Sequence, residues 1–168
     1  LFKLAVAALK ARPGRTKIVS DVFNFPSDLY VLQGVIELLG YQHRLELIPS
    51  ADGLTIEPQA LTAAIDADTA LVSLTHVAFK SAFMYDLAAV TAQAHQAGAL
   101  MLWDLSHSTG AVPVDLNGAR ADLAIGCTYK YLNGGPGAPA FLYVRKELQQ
   151  TLRQPIWGWL GAANPFDF

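Results

Sequence analysis

Two apolar runs, Ala99-Leu-Met-Leu-Trp-Asp104 and Leu123-Ala-Ile-Gly-Cys-Thr-Tyr-Lys130, each end on a charge. Read as buried parallel strands, they bring a carboxylate and an ammonium to the same carboxyl edge of one sheet, where open α/β folds bind ligands. Such a pair suits pyridoxal phosphate. A lysine amine condenses with the aldehyde, and an aspartate keeps the pyridine nitrogen protonated so that the ring accepts electrons. Taken singly, Asp104 reads more simply as a helix cap and Lys130 as a surface charge, because charged residues are common in strand-end loops. Their flanks shift the balance.

Those flanks are Asp104-Leu-Ser-His-Ser108 and Thr128-Tyr-Lys-Tyr-Leu-Asn-Gly-Gly-Pro-Gly-Ala138. A lysine between two tyrosines and ahead of a glycine-rich turn is an unusual surface strand end, since aromatics need burial and glycines permit close backbone approach. With these blocks the chain resembles the kynureninases, pyridoxal-phosphate enzymes of tryptophan catabolism. The resemblance runs through Asn24-Phe-Pro-Ser-Asp28, Thr75-His-Val-Ala-Phe-Lys-Ser81, Trp103-Asp-Leu-Ser-His107, Cys127 to Gly137 and Gly158-Trp159, five blocks in order.

Composition agrees with an α/β fold. Of 168 residues, 52% are hydrophobic and 15% charged, enough for one sizeable core whose strands are covered on both faces. Twelve basic residues against 14 acidic ones give a net charge of −2, and no basic block longer than a pair occurs, so nothing points to nucleic acid or to an anionic membrane. The single Cys127 excludes an internal disulfide, favours a reducing compartment and reads as a small core residue. No apolar stretch approaches the roughly 20 residues of a membrane span. A cytoplasmic location is the expectation.

The order of elements alternates. An opening helix over Leu1–Lys10 precedes strands at Thr16–Asp21, Leu45–Pro49 and Ala70–Thr75, the two runs ending at Asp104 and Lys130, and a last strand at Ala140–Val144. Helices fall between them at Ser27–Leu39, Pro58–Ile65 and Asp86–Ala97. This predicts a mostly parallel sheet flanked by helices, with one antiparallel pairing across the short turn Asn133-Gly-Gly-Pro-Gly137. By resemblance it is part of the large domain of a fold-type I pyridoxal-phosphate transferase. Residues 1–168 are then expected to lack an upstream phosphate loop and a downstream small domain. Trp157, Trp159, Phe166 and Phe168 would bury against the small domain or a partner subunit, so the isolated segment is expected to self-associate.

The resemblance also implies roles. Lys130 would carry the cofactor and Asp104 hold the pyridine nitrogen. Phe25, before Pro26 and Ser27, would stack on the ring with Asp28 near its nitrogen side. Thr75 would supply a cofactor-contacting hydroxyl, His107 would line the pocket, and Tyr129 would reach the phosphate, as would Trp159 from the neighbouring subunit of a homodimer. Read from the residues alone, Phe25 is packing, Thr75 bonds a neighbouring backbone group, and His107 is structural. His76 and Lys80 receive no role.

The implied reaction is hydrolysis of the Cβ–Cγ bond of kynurenine or 3-hydroxykynurenine to anthranilate or 3-hydroxyanthranilate and alanine. Two rivals stand beside it: an aminotransferase or cysteine desulfurase on the same fold, although desulfurases usually place histidine where Tyr129 stands, and an inactive fragment. No phosphate loop of the Gly-x-x-x-x-Gly-Lys type, no metal-binding histidine spacing and no Gly-x-Ser-x-Gly elbow occurs.

Overall fold

A computed structural model describes residues 1–167, apart from the side chain of residue 160. Its sheet has six strands: β1 (Lys17–Asp21), β2 (Arg44–Ile48), β3 (Thr69–Thr75), β4 (Leu100–Asp104), β5 (Leu123–Cys127) and β6 (Ala140–Val144), in the order β2-β1-β3-β4-β5-β6. All neighbouring pairs are parallel except β5 with β6, which pair antiparallel across the loop 128–139, longer than the expected turn because β5 ends early at Cys127. Helices α1 (Phe2–Lys10), α2 (Pro26–Leu38), α3 (Pro58–Ala64) and α4 (Leu87–Gln96) cover it.

Strand alternation sorts the core into two layers. Ile18, Leu71, Leu100, Leu102 and Leu123 pack with α1 and α2, while Val19, Val72, Leu74, Met101 and Trp103 pack with α3 and α4. Because both faces are covered, all seven residues of β3 and all five of β4 are buried. At the amino edge the buried Asp122 carboxylate accepts from Met101 N–H at 2.8 Å and lies within 2.8 Å of His95 Nε2 and 3.0 Å of Arg145, tying α4, β4 and β6 together.

Two local expectations shift. Helix α2 begins at Pro26, one residue before the expected Ser27, with extended Phe25 as its N-cap residue, since proline's fixed φ and missing N–H suit the first helical turn. The run expected to reach Lys130 leaves the sheet at Cys127, the partner of Ala140; Gly134 N–H then donates to Thr128 O at 2.9 Å and closes a turn. Lys130 therefore stands three residues past its strand. No described helix is long and apolar enough to cross a membrane.

Candidate cofactor site

Thr75 and Asp104 are direct register partners at the ends of β3 and β4, and Asp104 pairs in turn with Ile125 of β5. Alternation turns Thr75 and Asp104 toward the α1/α2 layer, so their side chains lie on one face of the carboxyl edge. Asp104 is 3% exposed; its Oδ1 accepts from Ser106 N–H at 2.9 Å and Ser106 Oγ at 2.6 Å. Among the described residues no hydrogen bond reaches its other oxygen. Thr75 Oγ1 donates to Val77 O at 3.1 Å, the backbone contact expected from its residue type alone.

The first turn of α2 brings a second carboxyl group to this edge. Asp28 is buried, and its Oδ2 has no hydrogen-bond partner among the described residues. Burial first, and the nearby Asp104 charge second, push its pKa up to about 7. Two buried carboxyl groups with unfilled oxygens match a ligand that presents a protonated ring nitrogen.

Lys130 closes the opposite side. Its Nζ lies 3.0 Å from His107 Nε2 and 5.4 Å over the Phe25 ring. Among the described residues no ion pair joins Lys130 to Asp104. Burial, and then the Lys130 charge, lower the His107 pKa against a weaker opposing pull from Asp104, which favours the neutral imidazole; its Nδ1 is buried without a partner among the described residues. The approach of these two loops depends on Gly110, at φ +86°, where a Cβ would stand 2.8 Å from Tyr131 O.

Phe25, Asp28, Thr75, Asp104, His107 and Lys130 thus share one edge. Pro26 and Ser27 are exposed at the helix start beside them. Tyr129 is half exposed, with Lys130 Nζ 5.5 Å over its ring, and its hydroxyl has no partner among the described residues. Trp159 is not brought to the group: it is 62% exposed and packs on Phe166 with ring centroids 6.0 Å apart. His76 turns to the opposite face, edge-on to Trp103 at 5.8 Å. Cys127 is a free, half-buried thiol 3.8 Å from Ser106 O.

Two residues went unread in the sequence. Ser106 fixes the Asp104 carboxylate, and its signal was the Asp-x-Ser spacing of an Asx-type turn. Phe79 meets Phe25 edge-to-face at 5.0 Å and lies nearly parallel to His107 at 6.3 Å. Nothing local marks Phe79, because its place depends on a loop tip folding back over the sheet.

The model of the family described as aminotransferase class-V matches residues 2–161. The chain belongs to the aminotransferase class-V family. Within that family it is 51% identical to the kynureninase of Burkholderia mallei (strain SAVP1) and 49% to that of Pseudomonas fluorescens, in each case over 99% of this chain and 39% of the relative. The chain therefore spans about two fifths of the length of these curated relatives. Two solved structures superimpose closely. An apo cysteine desulfurase from Thermococcus onnurineus NA1 gives a TM-score of 0.81 at 24% identity, covering 94% of this chain and 38% of that one. The lyase C-DES, solved with glycine linked to its pyridoxal-phosphate cofactor, gives 0.78 at 17% identity over 94% and 42%. At these identities the structures establish the fold, while the kynureninases carry the sequence likeness.

Proposed function

We propose that this chain forms the cofactor-holding part of a pyridoxal-phosphate-dependent hydrolase that cleaves the Cβ–Cγ bond of L-kynurenine or 3-hydroxykynurenine, releasing anthranilate or 3-hydroxyanthranilate and L-alanine. The supporting observation is Lys130 Nζ poised over Phe25 and against His107, facing two buried carboxyl groups, in a chain half identical to kynureninases. Pyridoxal phosphate supplies an aldehyde that takes the substrate amine and a ring that accepts the electrons of the broken bond.

Asp104 holds the proton at the pyridine nitrogen, with Ser106 fixing its free rotation. Asp28, whose pKa lies near neutrality, backs that proton from the α2 side. Phe25 packs on the ring face. Lys130 would be the residue that holds the cofactor at its aldehyde, and its amine would carry protons to and from the substrate. His107, neutral and 3.0 Å from Lys130 Nζ, would accept a hydrogen bond from the ammonium and orient it toward the ring. Thr75 and Tyr129 offer hydroxyls toward ring and phosphate, and Trp159 completes the phosphate site from the second subunit of a homodimer. Phe79 and His107, whose rings lie 6.3 Å apart, would border the cofactor and the substrate's aryl group. Such an enzyme would act in the cytoplasm, in tryptophan breakdown toward NAD precursors.

The deciding experiment supplies the full-length, cofactor-loaded protein with L-kynurenine and follows anthranilate fluorescence together with alanine. Sulfide release from cysteine, or keto-acid formation without anthranilate, would replace this reading with a desulfurase or an aminotransferase.

A further inference from the structure

Asp21 and Tyr85 form a buried pair that the proposed chemistry does not use. Tyr85 Oη donates to Asp21 Oδ2 at 2.6 Å, and Phe23 N–H donates to Asp21 Oδ1 at 2.6 Å. Asp21 is 0% exposed and Tyr85 6%. Burial pushes the Asp21 carboxyl upward, and the bonds from Tyr85 and Phe23 draw it back; burial likewise pushes the Tyr85 phenol upward. Both side chains lie on the face of the sheet opposite Thr75 and Asp104. Asp21 follows Val19 on the α3/α4 side, where Tyr85 packs on Phe83 at 4.8 Å and Trp103 at 6.0 Å.

The two residues are instead the roots of two loops. Asp21 ends β1, and the turn after it carries Phe25 four residues on. Asn24 braces that turn: it donates to Ser20 Oγ at 3.0 Å and Ser73 O at 3.2 Å and accepts from Phe25 N–H at 2.9 Å. Tyr85 ends the loop that follows β3, whose Val77–Met84 bridge holds Phe79 at its tip. The tips then meet, Phe25 against Phe79 at 5.0 Å, beside Lys130.

We propose that the Asp21–Tyr85 hydrogen bond is a positioning clamp: by joining the roots of these two loops on the far face of the sheet, it sets the Phe25–Phe79 aromatic wall at the distance that receives the cofactor ring. Asp21 and Tyr85 are positioning residues, acting through Phe25. The clamp rests on the reading that this edge holds pyridoxal phosphate.

The test is a double-mutant cycle in the full-length protein, read by the cofactor dissociation constant and by the circular dichroism induced in the bound cofactor. Tyr85→Phe removes one oxygen and keeps the ring. It should weaken cofactor binding about tenfold and diminish the induced signal, as expected for loss of a hydrogen bond to a buried carboxylate. In a Phe25→Leu background the same change should cost less than about twofold, because coupled sites are not additive. Equal losses in both backgrounds, or a fall in melting temperature with unchanged affinity and dichroism, would overturn the clamp. Asp21→Asn keeps an acceptor for one donor and should give an intermediate loss with the same coupling; it carries the test if Tyr85→Phe does not accumulate. A wild type that binds cofactor and shows the cycle but forms no anthranilate defeats the substrate reading and leaves the clamp standing. A wild type that does not bind pyridoxal phosphate defeats both.

Discussion

Lys130 and His107, 23 residues apart in sequence, meet at 3.0 Å because the turns after β4 and β5 lean against one another. The contact places a neutral imidazole beside the ammonium, and Lys130 is the one lysine whose ammonium sits over Phe25 at the carboxyl edge among the described residues. Lys80 points to the outer face of Phe79, 5.5 Å from its centroid.

Trapping the cofactor chemically should therefore mark a single residue. Borohydride treatment of the loaded full-length protein, followed by peptide mapping, should place the pyridoxyl group on Lys130. A label on Lys80 or Lys146 would sink the assignment.

Asp104→Asn should leave the fold intact, since Ser106 still finds an acceptor, yet remove the charge that holds the ring proton. Loss of an opposite charge in a buried site predicts a fall in kcat/KM of at least about 100-fold. A rate near wild type, with the melting temperature also unchanged, would mean that another group holds the nitrogen.

Asp28 governs a pH dependence of stability. Its folded pKa, about 7, lies above the ordinary aspartate value, so between the two the folded chain keeps a proton that the unfolded chain releases. The protonated group carries no penalty below about pH 4, and stability is lost as pH rises toward about 7. Asp28→Asn cannot ionise and should gain on the wild type across that window, by on the order of 1.4 kcal/mol for each pH step of about one. Urea melts at about pH 5 and about pH 8 measure it; a difference that does not change with pH would show that Asp28 is not the group holding the proton.

Gly110→Ala should disturb the site without touching any site residue. The added methyl meets Tyr131 O at 2.8 Å, at a φ of +86° that side chains rarely adopt, which costs roughly 1–3 kcal/mol. Cofactor affinity and melting temperature should both drop; retention of both would show that the two loops do not depend on this approach.

The isolated 168-residue segment should associate with itself and bind cofactor weakly. Trp157, Trp159 and Phe166 are 83%, 62% and 75% exposed, a cluster that soluble monomers rarely leave open. Phe168, the fourth aromatic expected there, lies outside the described residues. Light scattering with absorbance in the cofactor band measures both properties, and a monodisperse monomer with tightly bound pyridoxal phosphate would refute the expectation.

The strands were legible because burial on both faces forces continuous apolar runs: Thr69–Thr75 and Leu100–Asp104 are buried throughout and could be read directly. The antiparallel β6 was expected from the glycine turn at 133–137, yet the loop 128–139 that joins it to β5 is longer than that turn, so the pairing itself was decided by the fold. The meeting of opposite charges at one edge was legible because Asp104 and Lys130 follow such runs, and the shared blocks pointed to Phe25, Asp28 and His107, which lie at the same edge.

Tertiary structure alone decided how the side chains converge. Lys130 lies past the strand, so its direction follows from the turn closed by Gly134 on Thr128. Phe79 comes into the site only because its loop folds back, and Asp21 finds Tyr85 64 residues away. The physical reason is one of period. Buried strands and helices write their spacing into the sequence, but a loop tip has no repeat to read. Its side chains are placed by close approaches such as Gly110 against Tyr131, which exist only once the sheet has brought the loops together.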